Sequence, residues 1–514
     1  MSFKERFSES GKKILQNPSV LRWMSDDRVM KAAEGLMDAP SRMKAAWHVL
    51  VNGHDLPNID PALDESMGEV PAGPSSAATA PKASNDKRNG SAPSMQGSDD
   101  MKQSLAERSS LSGIGGKDVF EKCFQFKAAD NARKMGIYPF FRPLDFNDGP
   151  EAQIDGKRVT MFGSNNYLGL TTHPKVREAA KNAIDRFGTS MTGSRLVNGS
   201  MKLHEEFEEK LAAWFGKEAA LVFTTGYQVN IASLSALLSN KKSVAVIDRN
   251  VHASLYDGVR LGQAAGARLV RYKHNDAGAL DRALEKLEDA EGALVVTDGV
   301  FSAEGEIAHL DQIVPVVKKH GARVFVDDAH ALGVIGPEGR GTAHHFGLAD
   351  QVDLIGGTFS KSFASIGGWL VGERKVLDYI RHFAPSFMFA ASAAPPSVAA
   401  AMAAFDVMRE ELWRIEKLRD NYTYMRDELR RLGFELGHTE TAVIPIYIRQ
   451  DLRTIMMWRD LLEDYGVYTN PFISPGVPPK SAMLRTSYMA THERTHLDRG
   501  LEAFEKVGKK YGVI

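Results

Sequence analysis

From residue 220 to residue 371 the chain switches repeatedly between two hydrophobic periods, and this alternation limits the possible folds more than any other feature. Short apolar, β-rich runs stand at 220–224, 244–248, 267–272, 293–297, 323–327, 352–355 and 368–371. Between them come stretches with helical spacing, such as 280–287 and 310–318. Strands alternating with helices predict an α/β fold with a mainly parallel sheet and helices on both faces. Sites in such sheets form beyond the carboxyl ends of the strands, so the residues that follow each run are the candidates for chemistry.

Two of those strand ends carry distinctive residues. The run at 352–355 leads into Gly356-Gly-Thr358-Phe-Ser360-Lys361-Ser362, a lysine among hydroxyls and glycines. An isolated loop lysine is ordinarily solvated, but small donors beside it suit a Schiff base to an aldehyde cofactor with a phosphate to be gripped. The run at 323–327 ends in Asp327-Asp328-Ala-His330. An aspartate there can pair with a pyridinium nitrogen, and Asp327 is preferred to Asp328 for that contact. Lysine and aspartate together are what pyridoxal phosphate (PLP) chemistry requires. His330 is placed to touch the cofactor or the substrate. Thr224-Thr-Gly226-Tyr227 follows a strand and opens a helix, a setting in which backbone amides bind phosphate. His252, in Asp248-Arg-Asn-Val-His252-Ala-Ser254, follows another strand and could stack on the cofactor ring. Arg485, in a short apolar stretch near the C-terminus, could clamp a carboxylate through two parallel hydrogen bonds, or form a structural ion pair.

The 514 residues exceed one ordinary domain. Residues 1–65 show helical amphipathic spacing and read as a helical extension. Residues 66–112, rich in Pro, Ala, Ser and Gly, read as a disordered linker. Residues 113–399 are expected to form an arm and the large cofactor-binding domain, and 400–514 a smaller α+β domain. The latter should hold a long helix over 407–432 and a strand over 442–448. A net charge of −1 argues against nucleic acid as the main partner. A single cysteine, Cys123, excludes an internal disulfide framework and a cysteine-cluster metal site, and fits a cytoplasmic setting. The N-terminus lacks the apolar core of a signal peptide. A peripheral membrane contact stays open, and residues 1–65 could dock a carrier protein or a membrane surface.

Taken together, several motifs over residues 130–514 resemble the α-oxoamine synthase family of fold-type I PLP enzymes. They include Gly163-Ser-Asn-Asn166-Tyr-Leu-Gly169, Thr192-Gly-Ser-Arg-Leu-Val-Asn-Gly199, Asp327-Asp-Ala-His330, Gly336-Pro-Glu-Gly-Arg-Gly341 and Gly357-Thr-Phe-Ser-Lys-Ser362. The form of the lysine motif is similar to that of the serine palmitoyltransferase branch. The resemblance implies a homodimer that condenses an amino acid, L-serine first, with a long-chain acyl-CoA or an acyl carrier protein. Glycine or alanine acyltransfer is the alternative, and a non-catalytic subunit is disfavoured by Lys361. It implies Lys361 as the cofactor lysine, His252 over the ring, Asp327 on the nitrogen and His330 against the cofactor. Gly226, Tyr227, Thr358 and Ser360 would serve the phosphate end, and Arg485 and Asn166 the substrate. The chain departs from the family at Asp328, where glutamate is usual, and at Ala390, where a hydroxyl is common, with Ser392 nearby.

Overall fold

The computed structural model describes residues 118–287 and 290–514. The helices expected in 1–65 and the linker expected over 66–112 lie outside them. Residues 118–138 group with 474–479 as one unit, in which Glu121–Gln125 and Ala128–Lys134 are short helices. Residues 139–473 and 480–514 form the other.

Three sheets organise the larger unit. The first joins β1 (Phe146–Asp148), β2 (Glu151–Ile154) and β3 (Lys157–Met161), with β12 (Val467–Tyr468) parallel to β3. The second contains β4 (Ala219–Phe223), β5 (Ser243–Asp248), β6 (Arg268–Tyr272), β7 (Gly292–Asp298), β8 (Arg323–Asp327), β9 (Leu354–Thr358) and β10 (Gly368–Gly372). Its order is β4-β10-β9-β8-β7-β5-β6. Only β10 runs against its neighbours, so the sheet is mainly parallel, as the alternation implies. The central strands are covered on both faces, and Val244 to Ile247, Val295, Val296 and Val324 to Val326 are fully buried. The third sheet is β11 (Val443–Tyr447), β14 (Met483–Ser487) and β13 (Asn470–Phe472), all antiparallel. Helices Trp413–Leu432 and Asp451–Tyr465 pack against it, and helix Arg494–Lys510 packs on both of those helices.

Two elements differ from expectation. The strand expected at 352–355 spans Leu354–Thr358. Its glycines stay in the ladder because side chains crowd them: a Cβ on Gly356 would meet Phe325 at 3.0 Å, and one on Gly357 would meet Trp369 at 2.9 Å. Low β-propensity of glycine is overruled by the lack of space for anything larger. The single helix expected over 407–432 is two, Pro395–Glu410 and Trp413–Leu432. Glu411 leaves helical geometry (φ −115°, ψ 57°), and its carboxylate accepts from Arg414 Nε at 2.7 Å. Arg414 in turn donates to the Leu168 carbonyl at 3.1 Å, which fixes the corner to the body.

Register sets out the site. Asp298 pairs with Asp327, and Asp327 with Gly356, so the carboxyl ends of β7, β8 and β9 finish in one row.

Candidate active site

Lys361 sits just past β9, at the wall of a cavity of about 410 Å³ that Ser164, Asn166, Thr171 and Ser360 also line. Burial, which disfavours the ammonium, pulls its pKa down to about 7; Arg485 adds to that, while Asp327 and Asp298 oppose it. Near neutral pH a large share of Lys361 is therefore the free amine, the form that attacks a carbonyl.

Asp327 is buried and held at both oxygens. Oδ2 accepts from Asn230 Nδ2 at 2.7 Å, and Oδ1 accepts from the Ala329 amide at 3.0 Å. Asp328 points elsewhere. Its Oδ2 accepts from the Thr342 amide at 2.9 Å, and burial pushes its pKa up to about 7. A Cβ on Gly299 or Gly341 would lie 1.9 or 2.2 Å from its oxygens, so Asp328 fills a slot in the backbone. Of the two acids, Asp327 is the one whose charge reaches Lys361 and His252.

His252 caps helix Ala253–Ala264, and its Nδ1 lies 2.7 Å from Ser254 Oγ. Burial lowers its pKa; Asp327 resists and Lys361 assists. His330 is buried with Nδ1 2.6 Å from the Tyr167 hydroxyl. Burial holds its pKa well below the usual range, with Lys361 and Arg485 contributing, so the ring is neutral.

The phosphate candidates meet at one helix end. Gly226 is the first residue of helix Gly226–Leu237, whose cap, Thr225, accepts from the Gln228 amide through Oγ1 at 3.1 Å. A Cβ on Gly226 would come within 2.6 Å of Thr358 Cβ. Thr358 Oγ1 lies 2.7 Å from Ser360 Oγ. The Thr358 hydroxyl also donates to the Gly367 carbonyl at 3.1 Å, so free helix amides, the neighbouring Ser360 hydroxyl and a glycine that keeps the approach open make the donor set fitted to a phosphate dianion. The Tyr227 hydroxyl donates to Asp257, and its ring meets His252 edge-on at 6.2 Å. Tyr227 can thus offer the phosphate its backbone amide, while its hydroxyl is engaged.

Arg485 lies on β14, buried. Nε donates to the Ser302 carbonyl at 2.8 Å, and Nη1 donates to Asn165 Oδ1 at 2.8 Å and Ser487 Oγ at 2.7 Å. These bonds use three of the five guanidinium N–H groups and orient the Nη2 group. The alternative reading of Arg485, a structural ion pair, finds no carboxylate among these acceptors. Asn166 lines the cavity, but its amide serves the local turn: Oδ1 accepts from the Leu170 amide at 3.0 Å and Nδ2 donates to Thr171 Oγ1 at 2.9 Å.

Residue patterns alone did not single out Asn230, Ser254, Tyr167 or Asn165. Asn230 had a signal: it stands four residues after Gly226 in a largely apolar helix, hence on the same face. His330, which meets Tyr167, and Arg485, which meets Asn165, are more than 160 residues away from them, which spacing cannot reveal.

A mainly parallel sheet with a low-pKa lysine, a fixed aspartate and a phosphate-fitted helix end at one edge defines a fold-type I PLP-dependent transferase. Comparison with protein families matches residues 157–504 to aminotransferase class I and II. Serine palmitoyltransferase of Sphingobacterium spiritivorum is 43% identical over 390 residues, covering 76% of this chain and 96% of its own. An 8-amino-7-oxononanoate synthase of Thermoanaerobacter pseudethanolicus is 38% identical over 386 residues, covering 75% and 96%. Among solved structures, a serine palmitoyltransferase from S. paucimobilis with bound PLP-myriocin superposes with a TM-score of 0.74 at 34% identity, covering 77% of this chain and all of that one. The chain belongs to the aminotransferase class I and II family, among the α-oxoamine synthases that include serine palmitoyltransferases.

Proposed function

We propose that this protein is a PLP-dependent acyltransferase that condenses L-serine with a long-chain acyl-CoA, releasing CO₂ and CoA and giving a 3-keto sphingoid base. The observation that carries the chemistry is the convergence of Asp327 at the end of β8, Lys361 after β9 and the Gly226 helix end after β4, the last brought against Thr358 of β9. Serine and a long acyl chain are supported by the relatives at 40–43% identity named serine palmitoyltransferase.

When bound, PLP supplies an electron sink for the carbanion at the amino acid α-carbon. Lys361 would anchor it, Asp327 would keep its ring nitrogen protonated, and Gly226, Tyr227, Thr358 and Ser360 would hold its phosphate. His252 would lie along the ring and His330 beside it. The residues of the chain do the rest. Arg485 fixes the substrate carboxylate through Nη2, which sets the orientation of the bonds at the α-carbon. Lys361 Nζ, with its pKa brought to about 7 by burial, takes the α-proton. His252, kept neutral by burial, offers a hydrogen bond to the reacting carboxylate and acyl carbonyl.

Glycine or alanine as the amino acid is the second reading, favoured by the 8-amino-7-oxononanoate synthases among the relatives. Further parts of the proposal are a homodimer, a cytoplasmic setting at or near a membrane face, and a docking role for residues 1–65. Among the described residues no helix is long and apolar enough to cross a membrane.

The test is to titrate the holoenzyme with serine, glycine and alanine while following its visible spectrum, and to identify the products formed with palmitoyl-CoA by mass spectrometry. Saturation by serine and a serine-derived 3-keto base are expected. Turnover of glycine or alanine in preference to serine overturns the substrate assignment.

A further inference from the structure

A short strap leaves the active-site end of β7 and returns. Val300 bridges to Ile307, the Phe301 amide donates to the Glu306 carbonyl at 3.0 Å, and the Ala308 amide donates to the Gly299 carbonyl at 2.8 Å. The strap touches both the large sheet and the three-stranded sheet. On the latter side its Ser302 carbonyl accepts from Arg485 Nε at 2.8 Å, and its Gly305 carbonyl accepts from Thr441 Oγ1 at 3.0 Å. Gly305 has φ +70°, and a Cβ there would lie 2.0 Å from the Val443 carbonyl, so the two backbones are in direct contact.

The other side of the strap is fastened by charge. His274, in the turn after β6, is partly buried with Nδ1 3.0 Å from Asp248 Oδ1 and Nε2 3.4 Å from Glu306 Oε2. Its ring meets Phe301 edge-on at 4.3 Å. Asn250 Nδ2 donates to Glu304 Oε1 at 2.9 Å, and Asn275 Nδ2 donates to the Ile307 carbonyl at 2.9 Å. Burial works against a charged His274, but the hydrogen bond to Asp248 and the ion pair with Glu306 outweigh it and raise its pKa to about 10. Without a cation between them, Asp248 at the end of β5 and Glu306 on the strap would face each other across the ring as like charges.

We propose that His274 is a positioning residue for substrate recognition: by joining Asp248 to Glu306 it holds the strap, and through the Ser302 carbonyl the strap aims Arg485 at the amino acid carboxylate. The inference rests on the reading that Arg485 binds that carboxylate. No residue of the strap need touch substrate.

Serine binding to the PLP holoenzyme would be measured by calorimetry, beside ethanolamine, an amine without a carboxylate. In His274→Gln the Kd and KM for serine should rise about tenfold, the scale of one misaligned charge-assisted bond, while ethanolamine binding stays within about twofold. His274→Lys, which restores a cation, should recover part of the loss. Unchanged serine binding in folded His274→Gln overturns the proposal, and so does equal weakening of serine and ethanolamine, since that reports general loosening. If His274→Gln does not fold, Glu306→Gln is read by the same criteria. Arg485→Lys separates the two readings. If it leaves serine binding intact, the carboxylate assignment itself is wrong; if it weakens serine while the strap variants do not, only the positioning role falls.

Discussion

Asn230 Nδ2 donates to Asp327 Oδ2 at 2.7 Å and lies 2.8 Å from Ser254 Oγ, so one amide ties the strand-end acid to the turn that carries His252. Asp327 and His252 sit on different elements, yet they share this support. Asn230→Ala removes the donor and leaves a buried carboxylate oxygen without its partner, a defect that destabilises by roughly 1–3 kcal/mol. The expected result is a fall of about 10²-fold in kcat, the scale of a misplaced catalytic group, together with weaker PLP binding. Steady-state kinetics and a PLP titration of the apoenzyme check it. Wild-type kcat in Asn230→Ala would show that Asp327 orients itself.

Lys361 carries the clearest pH signature. Its folded pKa of about 7 lies below the ordinary lysine value of roughly 10.4. Between those values the unfolded chain binds the extra proton and the folded one does not. Apoenzyme stability should therefore rise with pH across that window, and the cost of the buried charge should be fully present below about pH 7. Two measurements follow. Amine-directed labelling of Lys361 in the apoenzyme, followed by peptide mass spectrometry, should show a midpoint near pH 7, whereas exposed lysines titrate near 10. Melting of Lys361→Met apoenzyme at pH 6.5 should occur above wild type while turnover is abolished.

Gly226 makes a test of the phosphate cradle. An added Cβ would lie 2.6 Å from Thr358 Cβ and 2.9 Å from its Oγ1, so the helix end and Thr358 must move apart. Overpacking of this kind costs about 1–3 kcal/mol, and the displaced groups are the ones proposed to hold the phosphate. Gly226→Ala should lose PLP affinity by at least about tenfold with only a modest drop in melting temperature. Equal PLP affinity in the variant would move the phosphate to another part of the site.

What could be read from the sequence follows from the range of the forces involved. The alternation of periods gave the parallel sheet, and the strand ends gave Lys361 and Asp327, because local spacing determines both. The extent of β9 was missed at Gly356 and Gly357, where Phe325 and Trp369 from neighbouring strands decide the matter. The break at Glu411 was missed because Arg414 and the Leu168 carbonyl hold it. Arg485 was legible as a cation in an apolar strand. Its aim was not, since that depends on Ser302 and Asn165, both distant in the chain. Propensity and pattern see nearest neighbours along the chain; close packing and buried polar pairs are contacts across it.

Tyr167 and His330 provide the last prediction. Burial raises the Tyr167 pKa, though Arg485 pulls the other way, so its hydroxyl stays protonated. Burial also keeps His330 neutral. The phenol has two acceptors within reach, His330 Nδ1 at 2.6 Å and Asn165 Oδ1 at 3.4 Å. Donation to the nearer one makes Nδ1 of His330 the acceptor and puts the proton on Nε2, and this is the tautomer we predict. The Nε2–H can then donate to an oxygen in the site. Tyr167→Phe keeps the ring but removes the donor, leaving Nδ1 buried and unpaired, at a cost of roughly 1–3 kcal/mol. His330 can relieve that cost by shifting its proton to Nδ1 where an acceptor is reachable, which turns Nε2 from donor into acceptor. The expected outcome is a shifted absorption maximum of the bound cofactor and a fall in kcat/KM of about 10- to 100-fold, with nitrogen NMR of labelled histidine reporting the tautomer directly. An Nε2–H tautomer and an unshifted spectrum in Tyr167→Phe would mean that the pair is packing alone, and that His330 takes its orientation from the strand-end turn at Asp327.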